Sequence, residues 1–261
     1  MQDYWQRQTK QKPLFPDMLW SRPENRQFAG KLLIVGGNAH GFASPAEAYA
    51  EAGRAGIGVA RVLLPDVLYK TLGKAFEAGE FAPSTPSGSF SQKALMEMLS
   101  LAQWADGVLL DGDLGRNSET AILLEKFITK YSGQLTLCSD AADYFINPQT
   151  TILDRADTLL VLNFPQLQKL AGHAHFTTAF TSTMDLMHFI SALHEFQTGH
   201  SAHILVHHLD NLIIAAKGKV CTTKLTTSTA QQGTVFAAHA AVWWLQNPSQ
   251  PYQALCSSII D

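Results

Sequence analysis

Short apolar runs, each ended by small or polar residues and most followed by a helix-like stretch, recur along the chain and constrain its fold more than any other feature. "KLLIV" (31–35) stops at Gly36 and Gly37. Ser44-Pro45-Ala46-Glu47 then reads as a helix start, with Ser44 as N-cap, Pro45 at the first helical position and Glu47 closing a capping box. The helix it opens is rich in alanine and glycine, which permits close approach to a sheet, and Gly56 is a candidate C-cap. "GVARVLLP" supplies a second strand ended by Pro65, and a helix is predicted near 66–76. "APSTPSGS" (82–89) is a loop by composition. Further helices are predicted near 92–103, 118–130, 184–196 and 234–246, with a short one from Phe164. Strands are predicted at "GVLLD", "QLTLCSD", "TLLVLN", "HILVH" and "NLIIAAK", the last two forming a pair around Leu209-Asp210-Asn211. Such alternation implies an α/β fold, a central, mostly parallel sheet flanked by helices on both faces.

The bulk properties exclude several classes. Of the 261 residues, 46% are hydrophobic and only 16% charged, which requires a folded core. The formal net charge is -3 and no long basic run exists, so no nucleic-acid surface is expected. Three well-separated cysteines, Cys138, Cys221 and Cys256, suggest neither a disulfide framework nor a cysteine zinc site. The polar start "MQDYWQRQTKQKPLF" is unlike a signal peptide, and no apolar run reaches the ~20 residues of a membrane span. A cytoplasmic protein with no membrane partner is expected.

Ligands of such sheets bind at the C-terminal ends of the strands. That directs attention to 36–44, 111–117, 139–143, 163–166, 207–211 and 226–234. "GGNAHG" departs from GxGxxG because Asn38 stands two places after Gly36. It is either a tight strand-to-helix turn or a glycine-lined wall of a ligand site. Asp111 and Asp113 in "DGDLG" are too few to argue a metal. His203 and His207 lie on one face of a predicted strand, but a zinc site would need a third ligand, and no metal is expected. "HEFQTGH" is not HExxH, and neither a GxSxG elbow nor a P-loop is present. "TTSTAQQGTVFAAHAAVWWL" (226–245) joins a polar turn to an apolar helix, the arrangement whose free N–H groups attract anions.

"RPENRQFAGKLLIVGGNAHGFASPAEAYAEAGRAGIGVARVLLP" resembles the opening of the ADP/ATP-dependent NAD(P)H-hydrate dehydratases, metabolite-repair enzymes with a ribokinase-like fold. The resemblance runs from about Leu19 to Leu245 and is most specific in its first third. It implies one ribokinase-like domain over 18–261, preceded by an extension of residues 1–17. It also implies ADP or ATP as cofactor and a small-molecule ligand, NAD(P)H hydrate in an active member. Further copies of the chain, in a homo-oligomer, are the other expected partner.

The motifs depart from the family pattern. Gly-Pro-Gly-Leu-Gly becomes Asp111-Gly112-Asp113-Leu114-Gly115, and Asp-Ala-Asp-Ala-Leu becomes Cys138-Ser139-Asp140-Ala141-Ala142. The Pro-His-Pro-Gly-Glu region corresponds to Leu162-Asn163-Phe164-Pro165-Gln166, and Lys-Gly to His207-His208. Ala-Gly-Thr-Gly-Asp corresponds to Ala230-Gln231-Gln232-Gly233-Thr234. The resemblance thus assigns nucleotide contacts to Gln231, Gln232, Gly233, Asn163, Gln166, His207, Asp113 and Gly115. It assigns substrate contacts to Gly36, Gly37, Asn38 and His40. Thr234 takes the place of the catalytic aspartate, with Asp140 as the candidate substitute acid. A threonine cannot accept a proton at neutral pH, and loss of a general base costs ~10²–10⁴-fold. Asp111 and Asp113 are expected to add negative charge to the phosphate rim, each on the order of a few kcal/mol at ~4 Å. The expectation is an impaired or inactive dehydratase. The alternatives are a non-catalytic binding or scaffold protein on the same fold, or a small-molecule kinase of the same superfamily.

Overall fold

A computed structural model describes residues 3–20, 22–149, 151–225 and 233–260. In chain order the elements are β1 (Trp5–Gln8), α1 (Pro16–Trp20), β2 (Lys31–Val35), α2 (Ala43–Arg54), β3 (Val59–Pro65), α3 (Tyr69–Leu72) and β4 (Gly79–Ala82). Then come α4 (Leu95–Trp104), β5 (Gly107–Leu110), α5 (Ser118–Lys130), β6 (Gln134–Leu137), α6 (Ser139–Asp143), β7 (Thr158–Leu162), α7 (Phe164–His173) and α8 (Leu186–Thr198). The chain finishes with β8 (His203–His208), β9 (Asn211–Ala216), β10 (Lys219–Lys224), α9 (Gly233–Gln246) and α10 (Pro251–Ser258).

The strands form one sheet in the order β1-β10-β9-β8-β7-β6-β5-β2-β3-β4. All pairings are parallel except those that β9 makes with β8 and β10. β2, β5 and β7 are almost wholly apolar because both their faces are covered. On one face, side chains such as Leu33, Leu110 and Ile204 meet Met98 of α4, Leu123 of α5, Leu167 of α7 and Phe189 of α8. On the other, Ile34, Leu109 and Leu205 meet Ala48 of α2, Ala237 and Trp244 of α9 and Tyr252 of α10. α9 is buried nearly all round, which explains its lack of a polar face.

Two local expectations change. The helix predicted near 66–76 is broken into 3-10 turns and the short α3, and Gly73 there has φ +41. Residues 1–17, an extension whose order the sequence leaves open, include β1, whose Trp5 lies opposite Val220 of β10 at the edge of the sheet. The capping box at Ser44 is not formed. α2 begins two residues earlier, with Phe42 as its N-cap, and its Ser44 N–H is accepted instead by the Asp113 carboxylate, at 2.9 Å.

Candidate functional site

The C-terminal ends of β2, β5 and β6 converge on the start of α9. Gly36 and Gly112 make this possible. A Cβ on Gly36 would lie 2.6 Å from the Gly112 carbonyl, and one on Gly112 would lie 2.7 Å from the Ser44 hydroxyl. The Gly37 N–H donates to the Gly112 carbonyl at 3.0 Å, tying the two strand ends together. This close approach places Asp111, the residue after β5, against Thr234 of α9.

Asp111 is fully buried, at 0% exposure, and its carboxylate sits in a cage of hydrogen donors. The Ser44 hydroxyl donates to Oδ2 at 3.0 Å. The Thr234 hydroxyl donates to Oδ1 at 3.0 Å, and the Cys138 thiol to the same oxygen at 2.8 Å. Burial, reinforced by the Asp111 charge, pushes the Cys138 thiol well above its ordinary pKa, so it remains a donor. Ser139, held at φ +53 where β6 gives way to α6, places its hydroxyl 3.2 Å from that of Thr234. The Ser44 and Thr234 hydroxyl oxygens are 2.9 Å apart. Each hydroxyl has one hydrogen. Ser44 and Thr234 donate theirs to the carboxylate, and the Ser139 hydroxyl lies within reach of both Asp111 Oδ1, at 3.4 Å, and the Thr234 oxygen.

Asp111 is therefore not a rim charge. It lies behind Thr234, enclosed and hydrogen-bonded. Asp113 is not free at the rim either, because its carboxylate caps α2. Asp140, the candidate substitute acid, faces another way. Its two oxygens accept the Leu114 and Gly115 N–H groups at 3.3 and 3.1 Å and fix the 111–115 loop. Burial raises its pKa, and those two N–H groups oppose the rise. The carboxylate that reaches Thr234 is Asp111, and nothing local in the sequence distinguishes it from Asp113.

The remaining expected residues separate into three groups. Gly36 and Gly37 are buried in the strand-end contact, Asn38 donates to the Asp113 carbonyl at 2.6 Å, and the His40 N–H is taken by Asn38. Asn163 and Gln166 form a capping box at the start of α7, and Gln166 also donates to the Ser139 carbonyl at 2.8 Å. With Ser139, His207, Gly233 and Phe236 they line a cavity of about 190 Å³. Burial lowers the pKa of His207, the neighbouring His208 lowers it further, and Asp210 opposes both. His208 is structural: its Nε2 is 2.7 Å from the Met184 carbonyl and its ring stacks on Phe189. Gly115 lines a second, larger cavity between α5 and α7. Gln231 and Gln232 lie outside the described residues. Among the described residues no three His, Cys, Asp or Glu side chains are grouped to hold a metal ion.

No protein-family model and no curated protein sequence matches the chain. Solved structures do. A ribokinase-like superfamily protein of Enterococcus faecalis V583 superposes with a TM-score of 0.73 at 13% identity, over 100% of this chain and 87% of that one. A Streptococcus mutans protein described as hypothetic gives a TM-score of 0.69 at 14% identity, over 92% and 83%. An ADP/ATP-dependent NAD(P)H-hydrate dehydratase of Bacillus subtilis, co-crystallised with ATP and Mg2+, gives 0.62 at 11% identity, over 90% and 79%. The fold is ribokinase-like. No helix among the described residues is long and apolar enough to cross a membrane.

Proposed function

We propose that this ribokinase-like chain is a small-molecule-binding protein whose cleft has lost the acid/base step of an ADP/ATP-dependent NAD(P)H-hydrate dehydratase. The observation that carries the reading is the Thr234–Asp111 hydrogen bond at 3.0 Å. At the head of α9, where the resemblance places a catalytic aspartate, stands a hydroxyl already bound to a carboxylate. That carboxylate is shielded from the cleft by Ser44, Thr234 and Cys138. A general base must reach the proton it removes, within hydrogen-bond distance or through one water. Asp111, fully enclosed, does not reach a ligand directly.

The nucleotide side has changed too. His207 stands where the family has lysine, and its depressed pKa keeps it largely neutral at pH 7. A neutral imidazole contributes no full charge toward a phosphate. Ligand binding at the strand ends remains the reading, with ADP and ATP as weak ligands. The test is recovery of NAD(P)H from its hydrate with ADP or ATP, alongside calorimetric titration of both nucleotides. The proposal expects no recovery above the uncatalysed rate and no micromolar nucleotide affinity. Recovery by the wild type that disappears in Asp111→Asn would assign the acid to Asp111 and overturn it.

A further inference from the structure

A cavity of about 630 Å³ lies between the start of α5, α6 and α7, separate from the Asp111 cage. Its lining includes Arg116, Asn117, Asp140, Asp143, Tyr144 and Lys169. Most of these polar groups already have partners. Asp140 holds two backbone N–H groups. Asn117 caps α5 with its oxygen and donates from its nitrogen to Ser87 at 3.0 Å. The Tyr144 hydroxyl donates to the Gly115 carbonyl at 2.6 Å and accepts from the Asn117 N–H at 3.2 Å. One oxygen of Asp143 accepts from Gln166 at 3.0 Å.

Arg116 and Lys169 differ. Neither side chain has a hydrogen bond or ion pair among the described residues, yet both line this one concavity. The carboxylates beside them are turned to other donors. The second oxygen of Asp143 is the acceptor left over, and Ile146 adds apolar surface next to the Tyr144 ring.

We infer that this cavity is a binding site for a small organic oxyanion, a phosphate monoester or carboxylate. Arg116 and Lys169 hold the anionic group. Arginine offers a planar fork and lysine a mobile point charge, a pairing suited to an oxyanion. The apolar part of the ligand lies on Ile146 and Tyr144, and a hydroxyl donates to Asp143. The site is independent of the chemistry proposed for the Thr234 cleft.

Phenyl phosphate and benzoate are the probes, with inorganic phosphate as the anion alone. Thermal unfolding and calorimetry use the full chain at low ionic strength, where screening is weak. At about ten times its Kd, at least one aryl probe is expected to raise Tm by about 2–4 °C and to bind more tightly than inorganic phosphate. The Arg116→Gln/Lys169→Gln variant should keep the ligand-free Tm and lose affinity about tenfold or more. The inference is overturned if neither aryl probe binds saturably at millimolar concentration, or if the double variant binds as well as the wild type.

Discussion

Two sites beside the strand ends treat charge in opposite ways, a closed end at Asp111 and an open end at Arg116 and Lys169. Around Asp111, the Ser44, Thr234 and Cys138 side chains donate hydrogens inward to one buried carboxylate, and the Ser139 hydroxyl lies 3.4 Å from the same group. Around Arg116 and Lys169, two cations face a cavity of about 630 Å³ with no partner among the described residues. The first arrangement is complete without a ligand, whereas the second is not. A charged residue on a motif position is therefore weak evidence for chemistry until its partners are known. Asp111, Asp113 and Asp140 are all acidic residues at strand ends, yet one anchors a hydroxyl cage, one caps α2 and one clamps a loop.

The largest expected effect breaks the closed end. Thr234→Asp would put a second carboxylate about a hydrogen-bond length from buried Asp111. Like charges there cost on the order of 4 kcal/mol, limited by uptake of a proton. The placement of Asp at a helix start, worth roughly 0.3–1 kcal/mol, does not offset this. Denaturant unfolding should show the loss, and Asp111→Gly in the same chain should recover at least half of it. A fully stable Thr234→Asp protein would mean that Asp111 is not held where the cage requires.

The next effect separates the site from the scaffold beneath it. His203, at the start of β8, is buried against Trp244 of α9, its Nδ1 has no hydrogen-bond partner among the described residues, and burial lowers its pKa to about 4. The unfolded chain binds this proton near pH 6.5 and the folded chain only near 4. Its stabilising contribution is therefore complete above about 6.5 and is lost as pH falls toward 4, by about 3 kcal/mol at most. Unfolding free energies measured from pH 7 to pH 4 should fall accordingly, and His203→Phe should flatten that fall. An unchanged slope in the variant would assign the acid sensitivity elsewhere.

Ser44→Ala removes one donor from the cage and leaves Oδ2 of Asp111 without its hydroxyl partner. A loss of about 1–3 kcal/mol in chemical denaturation is expected. At the open end, Arg116→Gln should change stability by less than about 0.5 kcal/mol, because an exposed cation without a partner contributes little to folding. A loss comparable to that of Ser44→Ala would erase the contrast between the two ends.

Much of the fold is legible in the sequence where the signal is local. The run 31–35 is β2 and the pattern over 118–130 is α5, because apolar period and caps lie within the segment. β1 and β10 are not legible. "WQRQ" and "KVCTTK" lack a strong apolar run, and their strand state depends on pairing across the chain, Trp5 with Val220. The same distinction holds at the site. The order of motifs points to the strand ends, but which acid meets Thr234 is set by contacts spanning more than a hundred residues. Asp113 likewise caps a helix that begins far before it in sequence. A resemblance in residue order does not carry such information.

The central claim is that Asp111 and Thr234 form one coupled unit at the head of α9. A double-mutant cycle in unfolding free energy tests it most directly, using wild type, Asp111→Asn, Thr234→Val and the double variant. Both substitutions keep side-chain shape while removing charge or hydroxyl. A coupling energy of about 1–2 kcal/mol is predicted, as for a buried hydrogen bond to a charged acceptor. Additivity within about 0.3–0.5 kcal/mol would show that the two residues act independently and would contradict the account.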